Sequence, residues 1–415
     1  MPGWERLWRP AAMKQLEDSY PVPAGFESAS FAGIGMSCKM IEPSKLESKS
    51  DWLTIVSELK PWGMVPEHEH LEVISLTENE RGPIAILRGD SEWLAEFLPW
   101  GSDGLLRKRA KSANTICEVP CGGYIWEGTD LILFRQRDSD KTSLMTDLSE
   151  SMQSGDLDAS SEILWRCGNS LGRYHQAVES ARTTPPDPRR WNKRIENLEA
   201  SLRSQSIWRA PHSRDSDCML GIGDLRFKDF VDGTIRIGRP RLSDALHPPD
   251  CEFPAIRDLS SLVHDLSRLH FENSSQLDIV ELRSSLILGW RDSAPVKWCS
   301  DDVFYSHRGG LAVWEYEQCL LDVIEAVSHQ SGAPQPATTI IGYVTPYQKR
   351  MFNNRTFGAL SMMAAFFGIA SLVNTFPPSI VEIPIPLASI VASILLLRFY
   401  RGLAPPPEIP FTRFA

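Results

Sequence analysis

The stretch richest in chemical possibility is residues 221–232, Gly-Ile-Gly-Asp-Leu-Arg-Phe-Lys-Asp-Phe-Val-Asp. A glycine turn presents Asp224, and Asp229 follows five residues later, between apolar flanks at Met219, Leu220, Phe230 and Val231. Such a loop can hold two carboxylates close together at the mouth of a cleft, where phosphoryl transfer needs a base and a metal ligand. Asp-rich turns are also common as solvated features, so the pair takes its meaning from its surroundings.

Other motifs carry less. Gly33-Ile-Gly35 lacks the βαβ context and the Gly-Lys-Ser/Thr of a phosphate loop, and reads as a turn. His68 and His70 have the spacing that puts two imidazoles on one face of a strand. Without further ligands at metal spacing they read as surface histidines. The 8 cysteines are scattered with no Cys-x-x-Cys pair, which fits reduced thiols in a cytoplasmic body. A net charge of −10 with no basic stripe across the main body argues against nucleic acid as a partner.

The elements that would position the loop fall into six segments. At 415 residues the chain is too long for one small core. Residues 1–70 are an N-terminal extension, with no apolar segment of signal-peptide type in its first 16 residues. One amphipathic helix is expected over 50–59, with Trp52, Leu53, Val56 and Leu59 on a face. Residues 71–140 read as a small antiparallel α+β lobe. Its strands are expected at 71–76, 83–88, 93–98, 116–120 and 131–135, with a helix after Gly101. Residues 141–330 read as a helical lobe. It opens with an acidic, Ser-rich linker or exposed turn at 146–161. Helical spacing follows through Leu164, Cys167, Leu171, Tyr174 and Val178, then a charged surface helix over 191–202. Further helices are expected near 255–270, 277–290 and 311–328.

Residues 331–350 form a linker with Pro334 and Pro336, ahead of a transmembrane helical hairpin at 351–401 and a tail at 402–415. Residues 356–376 carry no charge and 379–397 only Glu382. Each run is long enough to cross a bilayer at ~1.5 Å per residue. Lys349, Arg350, Arg355, Arg398 and Arg401 flank the two runs on one side. Basic residues stay cytoplasmic, so the body and both termini are expected in the cytoplasm, with 374–382 across the membrane.

Residues 71–328 resemble the aminoglycoside phosphotransferase and choline kinase branch of the protein-kinase-like fold. Leu171-Gly-Arg-Tyr-His175 resembles the Leu-Gly-x-x-His that closes a helix ahead of that family's catalytic loop. Gly223-Asp224-Leu225 resembles the core of its His-Gly-Asp-Leu-His-x-x-Asn loop. Pro254-Ala-Ile-Arg-Asp258-Leu259 resembles the later helix start. Leu288-Gly289-Trp290, then Asp302 and the helix through Trp314, Tyr316 and Glu317, resembles its terminal helices. The resemblance implies a two-lobe kinase-like α+β body, here followed by two transmembrane helices.

Carried across by position, the resemblance puts Asp224 at the catalytic base and Asp229 at the metal-binding asparagine. The loop histidine is Ile222. The strand lysine that holds nucleotide phosphates is replaced by Glu96, in Glu96-Phe-Leu-Pro99. The helix glutamate that holds this lysine is replaced by Arg109, in Leu106-Arg-Lys-Arg109-Ala110. The Asp-Phe-Gly aspartate should fall near Ile237-Gly238, where no acid stands, Asp244 being the nearest downstream. A working phosphotransferase depends on all three lost groups. The implied reading is a membrane-anchored pseudokinase, with no cofactor, that binds a protein partner or a small ligand. Glu96 and Arg109 would be kept as a structural ion pair in swapped order. One alternative is a divergent phosphotransferase acting on a small-molecule or membrane-proximal substrate with ATP, using Asp224 as base and Asp229 with magnesium. Another is a structural membrane protein whose likeness to the family is accidental.

Overall fold

The computed structural model describes residues 8–10, 13–15, 22–31, 37–41, 49–68, 71–102, 107, 111–112, 116–137, 143–181, 187–203, 206, 218–249, 251–300, 310–376, 379 and 383–403. Gly33–Gly35, His70, Arg109, Glu382, Asp302 and the tail at 402–415 lie outside these, apart from the helical backbone at 402–403, as does most of the helix expected after Gly101.

Three short strands, β1 (Met13–Gln15), β2 (Phe26–Phe31) and β3 (Ser37–Ile41), form a small antiparallel sheet. Helix α1 (Lys49–Ser57) follows, and buries Trp52 and Ile55 while Leu53 stays exposed. A six-stranded antiparallel sheet then takes β4 (Lys60–Gly63), β5 (Glu72–Asn79), β6 (Gly82–Arg88), β7 (Glu92–Phe97), β8 (Gly122–Trp126) and β9 (Thr129–Gln136). Its order is β4-β8-β9-β7-β6-β5. One face of this sheet buries Ala85, Leu87, Ala95, Phe97 and Phe134 against Trp52 and Ile55 of α1. Residues 49–63 therefore pack as part of the small lobe. The strand expected at 116–120 makes only an isolated bridge, Glu118 to Arg236. The sheet's strand lies further on, at β8. There Gly122 and Gly123 allow Met64 and Ile132 backbone to approach within 2.0 and 2.3 Å of where a Cβ would stand.

The expected linker at 146–161 is instead two helices, α2 (Leu144–Ser154) and α3 (Leu157–Ala177). Its acids lie on outer faces or cap, and its serines are spread between surface and core: Ser143 accepts the Met145 N–H and Asp156 that of Ala159, while Ser151 and Ser160 are buried and bond each other (2.8 Å). Gly155 ends α2 at φ 74°, a left-handed turn that glycine adopts without strain. Leu144, Leu148 and Met152 recur every four residues and are buried, each burial contributing about 2 kcal/mol. The polar composition of that stretch hides this stripe.

The helical part continues with α4 (Pro188–Ser201), the hairpin β10 (Phe230–Val231) and β11 (Thr234–Ile235), and α5 (Leu242–Leu246). Then come α6 (Ala255–Glu272), α7 (Ile279–Ser293) and α8 (Leu311–His329). On α4, Trp191, Ile195 and Leu198 are buried, so the charged helix is amphipathic. One core joins α2, α3, α6 and α7 around Leu164, Leu171, Leu262, Leu286 and Trp290.

Helix α9 (Ala337–Asn374) is continuous for 38 residues. Its start does not hang free of the body: Ala337, Ile340 and Val344 are buried with Tyr316 and Leu320 of α8. Residues 353–374 of α9 have a mean hydropathy of 1.8 and are long and apolar enough to cross a membrane. The second apolar helix, α10 (Pro384–Leu403), has a shorter apolar stretch, Pro384–Tyr400. It packs antiparallel on α9. Ser361 Oγ donates to the Ser393 carbonyl (2.9 Å) and Ser393 Oγ to that of Ser361 (2.8 Å), and Asn354 bonds the Tyr400 carbonyl. Phe357 stacks on Phe399, and Gly358 admits the Tyr400 ring. Outside this seam the pair exposes Met362, Phe366, Phe367, Val373, Leu387 and Ile394.

Candidate functional site

Three side chains of α6 hold the loop at 221–229. Asp258, Ser261 and Asp265 are spaced by three and four residues, so they share one helix face. Asp258 accepts the backbone N–H groups of Ile222 (2.7 Å) and Gly223 (3.1 Å). Ser261 accepts that of Leu225 (3.3 Å) and donates to its carbonyl (3.1 Å). Asp265 accepts the Phe227 N–H (2.8 Å). Gly223 has φ +94°, a conformation strained for any L side chain.

Asp258 is itself braced. His175, fully buried at the end of α3, places Nε2 3.4 Å from Asp258 Oδ2, and Trp290 Nε1 donates to His175 Nδ1 (2.8 Å). A neutral imidazole carrying its proton on Nε2 satisfies both contacts. Burial raises the Asp258 carboxyl, but His175 and the two amides outweigh it and hold it below the ordinary range. The motifs at 171–175, 223–225 and 254–259 thus converge on one object, a rigidly seated loop.

What the loop presents is covered by arginine. Arg81, at the turn between β5 and β6, spans both carboxylates. Its Nη2 donates to Asp224 Oδ2 (2.9 Å) and Asp229 Oδ2 (3.2 Å), and Nη1 to Asp229 Oδ1 (3.0 Å). Asp224 Oδ1 accepts from Arg226 Nε (3.2 Å) and Arg241 Nη1 (3.4 Å). Asp229 Oδ2 also accepts the Arg226 N–H (2.9 Å). Burial raises the Asp224 carboxyl, yet Arg226, Arg241 and Arg81 together hold it far below the usual carboxylate range. An acid so stabilised in its ionised form is a poor acceptor for a substrate proton.

The segment 236–241, Arg-Ile-Gly-Arg-Pro-Arg, fills the place expected for the metal aspartate. Gly238 lies against the Arg81 guanidinium, which would be 3.0 Å from an added Cβ. Arg239 donates to the carbonyls of Pro83 (3.1 Å) and Phe97 (3.0 Å) and to Asn79 Oδ1 (2.8 Å), tying this segment to the small sheet. Burial lowers the Arg239 guanidinium to about 10, so it stays charged at neutral pH. Asp244 lies beyond, paired with Arg194 (2.9 Å).

Glu96 on β7 is buried and meets Arg135 of the adjacent β9 (2.9 Å). Glu96 lies opposite Leu133, and Arg135, two residues on, projects from the same face. Arg135 also donates to the carbonyls of Glu118 (2.9 Å) and Ile237. Arg109, the partner expected from sequence, lies outside the described residues. Glu96 is thus held by a cation that sequence order does not suggest.

Behind the loop, α8 supplies a row of acids to the remaining arginines. Arg241 binds Glu325 (2.7 Å) and Asp322 (2.6 Å), Arg257 and Arg194 share Glu317 (2.6 Å each), and Arg283 pairs with Glu315 (2.8 Å). Cys319, His264 and Asp322 adjoin in the order of a nucleophilic triad (3.6 and 2.7 Å). Cys319 is fully buried, and burial with Glu315 and Asp322 nearby pushes its thiol well above the ordinary range, so no nucleophile is formed there.

A cavity of about 350 Å³ adjoins Asp224 between the lobes, lined by Trp100 and Thr129 on one side and Met219, Asp244 and Phe253 on the other. Trp100 Nε1 is buried with no hydrogen-bond partner among the described residues. Of the residues singled out by motif and spacing, the structure brings Asp224 and Asp229 together under Arg81 and places Glu96 elsewhere in the small lobe. Arg81, Arg226, Arg239 and Arg241 are additions that motif and spacing do not single out. The one sequence signal for them is the arginine run at 236–241 in an acidic chain.

This network of buried ion pairs sets an acid limit. Asp224, Glu317, Asp322 and Glu325 have depressed folded values, so their contribution is present above the ordinary 3.8–4.5 and is lost as pH falls below it. Burial also lowers His68, His247 and His329 below 6.5, and their protonation favours unfolding below that pH. The urea midpoint should be level from pH 8 to about 6.5, fall gently to about 4, and drop steeply below it.

No family model matches the chain, and no curated protein matches it by sequence. The body, with its six-stranded antiparallel sheet and its mostly helical part, is a two-lobe α+β structure. Solved structures similar to it include glucosamine kinases. Two crystal forms show 13% and 12% identity, TM-score 0.46 each, over 77% of this chain and 91% and 89% of theirs. A complex with glucosamine, ADP and inorganic phosphate shows 12% identity, TM-score 0.48, over 79% of this chain and 92% of its own. These values describe a coarse likeness of fold, and no residue role is taken from them. The aminoglycoside phosphotransferase and choline kinase branch finds no support among family models.

Proposed function

We propose that the chain is a membrane-anchored kinase-like protein whose cleft is catalytically degenerate and which serves as a binding or scaffold module. The observation that most supports this is the Arg81 guanidinium lying across Asp224 and Asp229. Every oxygen of the two carboxylates accepts an N–H group, three of them from Arg81. This donor set does not fit a divalent cation while Arg81 remains. The cavity beside Asp224 offers room for a small ligand, and residues 353–374 supply the anchor. Its opening onto Asp224 is what favours the second reading, a divergent phosphotransferase using Asp224 and Asp229 with magnesium.

Melting of the full-length protein in detergent, with ATP and with or without magnesium, separates the two. A nucleotide at a hundred times its Kd would stabilise by about 2.7 kcal/mol, several degrees in Tm. No magnesium-dependent rise is expected. A rise that disappears in Asp229→Asn would overturn the degenerate reading in favour of the second.

A further inference from the structure

The seam between α9 and α10 fixes which residues share a level. Asn354 meets Tyr400, Phe357 meets Phe399, and Ser361 meets Ser393. Arg355, Arg398 and Arg401 therefore come to one end of the pair, and Lys349 and Arg350 stand about one turn further out. All five lie within roughly 12 Å along the axis. Lys349, Arg355 and Arg398 are exposed. Immediately past this level the pair is uncharged: residues 356–376 and 384–397 hold no Asp, Glu, Lys or Arg. The one acid in the sequence between 337 and 403 is Glu382, which lies outside the described residues. Tyr400 sits at the boundary, the place an amphipathic ring takes between headgroups and acyl chains.

We infer that this end of the α9–α10 pair is a cationic collar that binds anionic lipid headgroups. The inference rests on the membrane-anchored reading and adds the class of lipid. Sequence alone gives two basic groups 43 residues apart, Arg355 and Arg398. The antiparallel seam makes them one patch at the depth where phosphates lie. Each cation near an anionic surface strengthens attraction about fivefold. In a chain of net charge −10 the collar would also counter repulsion between an acidic body and the same surface.

The test uses the full-length protein reconstituted in vesicles of phosphatidylcholine, alone or with a minority of phosphatidylserine. Flotation reports insertion, and the lipid retained on gentle solubilisation and repurification reports preference. The protein should float with both vesicles and retain phosphatidylserine several-fold above its bulk share. Lys349→Gln with Arg398→Gln should float equally well and bring that enrichment down to near the bulk share. Retention in proportion to the bulk would overturn the collar and leave the anchor standing. So would enrichment that the double variant keeps. Failure to float with either vesicle would overturn the anchor itself.

Discussion

Arg81→Ala is expected to destabilise the body by about 3–5 kcal/mol and to give it a dependence on divalent cations that the parent lacks. The guanidinium is buried, and its loss leaves Asp224 and Asp229 facing each other without the group that joins them. Removing one partner from a buried ion pair costs that much because the remaining charge is stranded in low dielectric. Two carboxylates so exposed form an oxygen site for a hard cation. Manganese or magnesium should therefore raise the melting temperature of the variant and leave the parent unmoved. Asp229→Asn added to Arg81→Ala should abolish the metal effect. A metal-indifferent Arg81→Ala variant would show that Arg81 merely neutralises the pair, without standing where a cation would.

Glu317→Gln should be comparably damaging, at about 3–5 kcal/mol, although it changes one atom type and no volume. Glu317 is fully buried and is the shared acceptor for Arg194 and Arg257, with contacts of 2.6 Å to each. Burial raises its carboxyl, and the two guanidiniums more than reverse this. The amide leaves both arginines short of a countercharge, with Asp244 their nearest remaining acid. Replacing the Arg257–Glu317 pair together by Met and Leu should recover part of the loss, because Arg257 then no longer needs a partner. Denaturant melts of the single and double variants measure this directly. If the single amide variant loses less than about 1 kcal/mol, the ion-pair network behind the loop is not what seats it.

Some features are legible in the sequence because they are local. Helices at 255–272, 279–293 and 311–329 follow from spacing read within one segment. The loop and its supports at 171–175 and 254–259 are legible as short motifs, and the structure gives the physical reason: Asp258 holds the loop's backbone and His175 braces Asp258. Arg81 is not legible, since its partners lie 143 and 148 residues away and nothing in a β-turn arginine announces them. For Glu96 the sequence points to a helix partner, Arg109, which lies outside the described residues, and cross-strand register delivers Arg135 from its neighbour strand, which motif reading does not announce. The stretch at 146–161 looks like a linker because its acids lie on outer faces or cap and two of its serines pair inside the core, while Leu148 and Met152 do the packing. The site is thus legible in its frame and hidden in its filling, since the filling depends on long-range ion pairs.

Helix α9 gives the body a lever in place of a tether. Its first turns are embedded beside Tyr316 and Leu320, and the same rod continues into the apolar stretch. Between the two lies Pro346, whose ring nitrogen cannot donate to the Gly342 carbonyl one turn back. That missing bond makes a single swivel point in an otherwise stiff shaft. If the apolar stretch lies in a membrane as proposed, a change in its tilt, as when bilayer thickness changes, would reach the cleft as a rotation hinged at this proline. The azimuth at which the cleft meets other molecules would then follow the membrane.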